Sequence, residues 1–259
     1  MKKSHVITFT HFKGGTGKTT SCLSVAGFLA KHGAKTLVVD LDPQANLTTG
    51  LGVSKVKAQR TMHHVMRNKS KLKDIIVKTP HSGLYLAPAS HHLSHSKLGR
   101  FGGKKESLVL KKALKEVQGK YEFILVDLPP SNSHFIANGV MAADSVILVL
   151  DTGHFSLSGV ETFRGSLKSY CKKLGKDIDP DLVLVNKHKP SWNFFRESRG
   201  KRVAKEVGKL LDRDVFLIPH SEHILESQEV GVPISHHKPE SKVGVAYMRV
   251  ADAIVGMWE

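Results

Sequence analysis

The chain has 259 residues, 40% of them hydrophobic and 24% charged, and its 39 Lys/Arg against 23 Asp/Glu give a formal charge of +16. That much apolar material supports one substantial core and excludes a disordered, collagen-like or disulfide-stapled chain. A cationic surplus of this size attracts polyanions, so nucleic acid or an acidic surface is the expected partner.

Val6–Phe9 is a short run of β-branched and large apolar residues, and the same grammar returns at Thr36–Val39, Phe123–Val126, Val146–Leu150, Leu182–Val185 and Val215–Ile218. A weaker version is Leu84–Ala87. Nearly continuous apolar runs suit strands covered on both faces in a parallel sheet. Helices are expected at Thr19–His32, Glu106–Gln118, Gly159–Leu174, Phe194–Leu211 and Val243–Met257, with the lengths that right-handed crossovers require. No repeat or linker interrupts the pattern. The expected fold class is therefore α/β: a single doubly wound domain over residues 1–259, with a mostly parallel central sheet flanked by helices. In such sheets ligands sit beyond the carboxyl ends of the strands, which should bring Lys13–Thr20, Asp40–Gln44, Asp127–Ser131, Asp151–Thr152 and Asn186–Lys187 to one crevice.

Met1-Lys2-Lys3 imitates the start of a secretory leader, but the apolar stretch behind it ends at Phe9. No apolar run approaches the roughly 18 residues of a membrane span, so a soluble, cytoplasmic chain is expected. Cys22 and Cys171 belong to no C-x-x-C pair and read as ordinary thiols.

Phe12-Lys13-Gly14-Gly15-Thr16-Gly17-Lys18-Thr19-Thr20 follows the first strand and opens the first helix. Backbone N–H groups freed by glycine geometry can cradle phosphate there, with Lys18 neutralising the terminal phosphates and the Thr19 hydroxyl meeting Mg²⁺. An ordinary phosphate loop would have glycine where Phe12 stands; instead a second lysine, Lys13, precedes the glycines. Phosphoryl transfer to water needs charge neutralisation, a metal ion and a placed water molecule. Asp127 is expected to hold the metal through water, and Asp42, just past the second strand, to position the attacking water. Asp40 reads equally as a structural acceptor or as a residue behind the metal.

The string K-G-G-x-G-K-T-T resembles the deviant Walker A box of the ParA/MinD ATPases. Val39–Asn46 is similar to that family's D-x-D-P-Q-x-N motif, and Ile124–Ser131 to its Walker B segment. The tail, with Ile218-Pro219, Gly231–Ile234 and Gly244–Tyr247, looks more like ParA than MinD. The resemblance covers nearly the whole chain. It implies ATP and Mg²⁺ as cofactors, a homodimer when ATP is bound, and Lys13 reaching across that dimer to the partner's phosphates. It also implies an adenine-reading role for Asn186, Pro219 in the nucleotide site, non-specific double-stranded DNA binding, a ParB-like partner and a place on the prokaryotic nucleoid.

Basicity is regional: residues 55–120 hold sixteen Lys/Arg against Asp74, Glu106 and Glu116. On the expected helix 194–211, Arg199, Arg202, Lys205 and Lys209 share one face, with Arg196 before them and Val203, Val207, Leu210 and Leu211 opposite. This cationic stripe is the candidate DNA contact. The loop 90–105, with Lys97, Arg100, Lys104 and Lys105, is a second one, and its His91-His92-x-x-His95 is a weak metal motif. Several features depart from the family pattern. His220-Ser221 stands where ParA proteins place Arg-Asn, Asp151-Thr152 replaces a Pro-Glu pair, and no N-terminal DNA-binding extension is expected. The final Ile254–Glu259 lacks the cationic flank of a membrane-binding helix. A MinD-like membrane-associated ATPase is therefore the alternative, together with a ParA-like protein that positions a protein cargo.

Overall fold

A computed structural model describes residues 2–11, 13–53, 60–95, 105–130, 133–154, 157–189 and 197–258. The strands are β1 (His5–Thr10), β2 (Thr36–Asp40), β3 (Val77–Lys78), β4 (Leu84–Ala87), β5 (Phe123–Asp127), β6 (Ser145–Asp151), β7 (Leu182–His188) and β8 (Val215–Pro219). They form one eight-stranded sheet in the order β3-β4-β2-β5-β1-β6-β7-β8. Every neighbouring pair is parallel except β3 on β4. β1 lies between β5 and β6, so the chain leaves it to one side through β2 and β5 and then crosses to the other. That reversal opens a crevice at the carboxyl ends of the central strands.

The helices are α1 (Lys18–Lys31), α2 (Asn46–Gly50), α3 (Met62–Met66), α4 (Val109–Leu114), α5 (Ser133–Ala142), α6 (Leu157–Lys173), α7 (Arg199–Leu211), α8 (His223–Glu229), α9 (Ile234–His237) and α10 (Lys242–Trp258). Alternation along the strands splits the core in two. Val6, Ile124, Val126, Val146 and Leu148 face α3 to α7 through Met62, Leu110, Phe135, Phe163 and Val207. Ile7, Phe9, Leu125, Ile147 and Val149 face α1, α9 and α10 through Phe28, Ile234, Tyr247 and Val250.

The structure corrects several sequence-based boundaries. The expected helix 194–211 begins at Arg199, because Ser198 is extended (φ −65°, ψ 149°) and its Oγ caps the helix by accepting from the Lys201 N–H. The expected helix 106–118 breaks into a 3-10 turn (Glu106–Leu108), α4, and a second turn (Lys115–Val117). Asn138 of α5 accounts for the break: its Oδ1 accepts from Leu110 N at 3.0 Å and its Nδ2 donates to Glu106 O at 2.8 Å. α5 itself is buried on every side from His134 to Ala142, so it shows no amphipathic period to read.

α10 closes the second layer with Tyr247, which is 0% exposed and shares a 3.1 Å hydrogen bond between its OH and Ser21 Oγ of α1. Tyr247→Phe should lower unfolding stability by about 1–3 kcal/mol, the typical worth of its bonds to Ser21 and to the Asn186 amide, and Tyr247→Ala by about 3–5 kcal/mol through cavity formation. Urea unfolding of the three proteins measures both.

Candidate functional site

The phosphate loop between β1 and α1 takes its shape from two glycines in the left-handed region, Gly15 (φ 75°) and Gly17 (φ 91°). A Cβ on Gly17 would lie 2.0 Å from Asn186 Nδ2, so no side chain fits there. Asn186 ends the buried part of β7 and braces the loop from behind. Its Nδ2 donates to Thr16 O at 3.1 Å, and its Oδ1 accepts from Lys187 N at 2.9 Å. Tyr247 OH also bonds to this amide, and burial pushes the phenol up to about 12. The amide for which the resemblance implies an adenine-reading role is here engaged by the loop.

Lys18 lies almost wholly inside, with its Nζ donating to Lys13 O at 3.2 Å. Burial lowers its pKa, while Asp127 and Asp42 act to raise it. Lys13 is exposed, and its backbone N–H donates to His11 Nδ1 at 3.4 Å.

Two carboxylates meet where β2 and β5 end in register, Asp40 beside Asp127. Asp40 Oδ2 accepts from Thr48 N (2.9 Å) and Thr48 Oγ1 (2.7 Å), and its Oδ1 accepts from Asp42 N (3.0 Å). Burial nevertheless pushes it up to about 7. Asp40 is therefore a structural acceptor that shapes the 42–48 turn, and the metal reading finds no support in its contacts. Asp127 is also fully buried; neither oxygen has a partner of full hydrogen-bond geometry among the described residues, although the Thr19 hydroxyl lies close enough to act on the carboxylate. Burial and the Asp40 charge hold its pKa well above the usual range, opposed by the Thr19 hydroxyl and Lys18. Asp42 is 9% exposed, accepts from Gln44 N at 2.9 Å through Oδ1, and lines the crevice.

That crevice, of about 930 Å³, is walled by Gly15, Gly17, Lys18, Thr19 and Thr20 on one side and Asp42, Gln44, Pro129 and Pro130 on another. α8 supplies the third wall, with Ile224, Leu225 and Gln228, and Gln228 Nε2 donates to Thr20 Oγ1 at 2.9 Å. Pro219, expected in the nucleotide site, ends the edge strand β8 opposite His188. Arg196, Lys97, Arg100 and Lys104 lie outside the described residues. No group of three His, Cys, Asp or Glu suited to a metal occurs among the described residues, the His91-His92 pair included.

The architecture and the motifs converge on one lineage. The family model described as "AAA domain" matches residues 4–180. The chromosome-partitioning ATPase Soj of Treponema pallidum (strain Nichols) is 31% identical over 251 residues, 96% of this chain and 96% of that protein. The chain belongs to the ParA/MinD family of ATPases. Among solved structures, cobyrinic acid a,c-diamide synthase from Mycobacterium smegmatis with an ATP analog and magnesium superposes with a TM-score of 0.83 at 26% identity, covering 99% of this chain and 96% of that one. The septum site-determining protein MinD of Pyrococcus horikoshii OT3 with Mg-ADP gives 0.77 at 26% identity, covering 99% of each chain.

The residues of this ParA/MinD ATPase fit ATP and Mg²⁺. A loop of left-handed glycines leaves room for phosphate oxygens, and a buried carboxylate with too few donors for its two oxygens is costly unless a cation meets it. Thr19 and Asp127 could hold that cation, and Lys18 the phosphates.

Two contributors carried no motif. Lys187 sits in the left-handed region (φ 55°), donates to Gly15 O at 2.7 Å and pairs with Asp151 Oδ2 at 3.2 Å. Asp151-Thr152, the departure from the family's Pro-Glu, thus anchors a strut under the loop. His11 packs edge-on against Phe163 with centroids 5.5 Å apart. Burial, then Lys18 and Lys13, lower its pKa to about 4.

Because the folded-state pKa of His11 lies below the unfolded value of about 6.5, the unfolded chain takes up that proton first as pH falls. His11 should therefore cost stability progressively between pH 6.5 and about 4. His11→Gln should reduce the proton uptake on unfolding in that window by about one proton, or about 1.4 kcal/mol per pH unit. Urea titrations at successive pH values test it; an unchanged slope would show that His11 is not held neutral.

Proposed function

We propose that this ATPase is a DNA partition switch. Two copies join over bound ATP, the dimer binds duplex DNA without sequence preference, and hydrolysis stimulated by a ParB-like partner releases it from the nucleoid. The observation that carries this reading is α7. Arg199, Arg202, Lys205 and Lys209 are exposed along it while Val203, Val207 and Leu211 are buried, so the helix is fixed to the core and presents a cationic stripe. Its first turn lies beside the site: Gly200 packs so closely on the His188 ring that a Cβ would meet Nδ1 at 2.3 Å. Arg199 Nη2 also donates to Gly153 O at 3.4 Å, two residues beyond Asp151. We read residues 1–259 as a single working domain.

Mg²⁺, when bound, would supply charge neutralisation at the terminal phosphates. In this proposal Gly14, Gly15, Thr16 and Gly17 present backbone donors to phosphate, Thr20 caps the loop through Gln228, and Lys18 leaves Lys13 O to meet the phosphate charge. Thr19 and Asp127 hold the metal side, and Asp42 accepts a hydrogen bond from the attacking water. Exposed Lys13 faces the second copy.

Asp42→Asn retains an oxygen for the Gln44 N–H bond while removing the charge. It should keep ATP binding and dimer but lose at least about 100-fold in kcat, measured by phosphate release. Lys13→Ala should bind ATP as a monomer, and sedimentation as a wild-type dimer under saturating ATP would sink its role in trans.

Duplex binding should be strong with ATP and weak with ADP or without nucleotide. Reversing Arg199, Arg202 and Lys205 to Glu should weaken it alike for all sequences. The slope of log affinity against log salt should flatten by about 0.9 per lost contact. Wild-type affinity and slope in that variant would make the stripe an ordinary solvated face.

A further inference from the structure

The sequence concentrates positive charge between residues 55 and 120, and the fold gathers part of it into a second surface away from α7. α3, the 3-10 turn Leu72–Asp74 and α4 with the turn that follows it form the cover over the β2–β4 end of one core layer. Met62, Val65, Met66, Leu72, Ile75, Leu110, Leu114 and Val117 are their buried undersides. Lys73 N donates to Glu116 Oε2 at 3.5 Å, tying the turn to the end of α4. Arg67, Lys71, Lys73, Lys111, Lys112 and Lys115 are all exposed on the outside of this cover. None of the six forms an ion pair among the described residues. The acids interleaved with them are Asp74 and Glu116.

An ordinary surface interleaves both signs, because like charges within a Debye length of about 8 Å repel and weaken the fold. Here the cations lie on or directly beside short helical turns whose apolar side chains are buried, so the core fixes where their backbone stands. A polyanion relieves it. The α7 stripe packs over β7 and β8, at the opposite edge of the sheet from β4, so the two cationic surfaces are separate.

We infer that the α3–α4 surface is a second phosphate-backbone site for duplex DNA, carried whole by one subunit. This rests on the DNA-binding reading above but not on the α7 stripe. None of its residues lines the nucleotide crevice, so its contribution should persist without nucleotide. It would supply the weak, salt-sensitive background binding onto which the dimer's binding is added.

The test uses the full chain and random-sequence duplex across a salt series, with Mg-ATP and without nucleotide. The variants are Lys71→Glu/Lys73→Glu/Lys112→Glu, its Gln counterpart, and the α7 triple reversal. The Lys-to-Glu variant should lose about tenfold or more in affinity in both nucleotide states and flatten the salt slope by about 0.9 per contact. Its DNA-free ATP turnover should stay at the wild-type rate. The Gln variant, which adds no repulsion, should show a smaller loss in the same direction, so an unfolded Glu variant would not hide the result.

Loss only in the α7 variant would overturn the second site and leave partition intact. Loss in neither would overturn the DNA reading at both surfaces, whereas loss in the α3–α4 variant alone would support the second site and remove the stripe. Wild-type duplex binding in the Glu variant, coupled with lost flotation on vesicles rich in acidic lipid, would overturn the assignment to nucleic acid in favour of a membrane.

Discussion

Asp127 is a fully buried carboxylate at the end of β5 that is poorly supplied with donors, with the Thr19 hydroxyl beside it and no bond of full geometry among the described residues, and the surrounding architecture is intelligible from that one deficit. Its neighbour Asp40, equally buried, takes three hydrogen bonds from the turn that follows it. Two adjacent buried carboxylates cannot both ionise cheaply. One is satisfied by protein donors and defines a turn, while the other waits for charge from outside. The sheet order brings β1 next to β5, which puts Lys18 and Thr19 within electrostatic reach of Asp127.

What the sequence revealed and what it hid divide along physical lines. Nearly continuous apolar runs announce strands covered on both faces, and the seven parallel strands lie where such runs stand. The two-residue β3 is too short to leave a pattern. α5 is invisible because a helix buried all round has no polar face, and the start of α7 because Ser198 is a cap with a helical neighbour on one side only. The phosphate loop was legible since glycine spacing maps directly onto backbone geometry. Ala45 (φ 54°) and Lys187 (φ 55°) adopt left-handed conformations that their side chains do not announce, each worth about 1–3 kcal/mol of strain. The orientation of Asn186 and the wall made by α8 depend on contacts between segments far apart in the chain. For His11 a signal did exist: a polar residue ends the first strand directly before the loop.

Charge is partitioned as well as abundant. Three acids, Asp40, Asp42 and Asp127, converge near a single buried ammonium, so the floor of the crevice suits a cation. The basic side chains instead ride on the outer surfaces of α3, α4 and α7, where they meet water. Such a separation leaves the buried charges of the crevice less exposed to salt screening than the cations on the surface.

The braces of the phosphate loop come late in the chain. Thr16 is held by Asn186, 170 residues downstream, and Ser21 by Tyr247, 226 residues downstream. At a synthesis rate of about 5–20 residues per second, the loop leaves the ribosome about 10 to 45 s before its last brace exists. The central strand likewise waits for β5 and β6, a high contact order that slows closure of the sheet. A growing chain therefore displays its glycine loop before the Asn186 and Tyr247 braces are made. The shape of the loop thus depends on residues encoded far behind the motif itself, and a chain cut before α10 carries every residue of that motif but lacks the Tyr247 contact to Ser21.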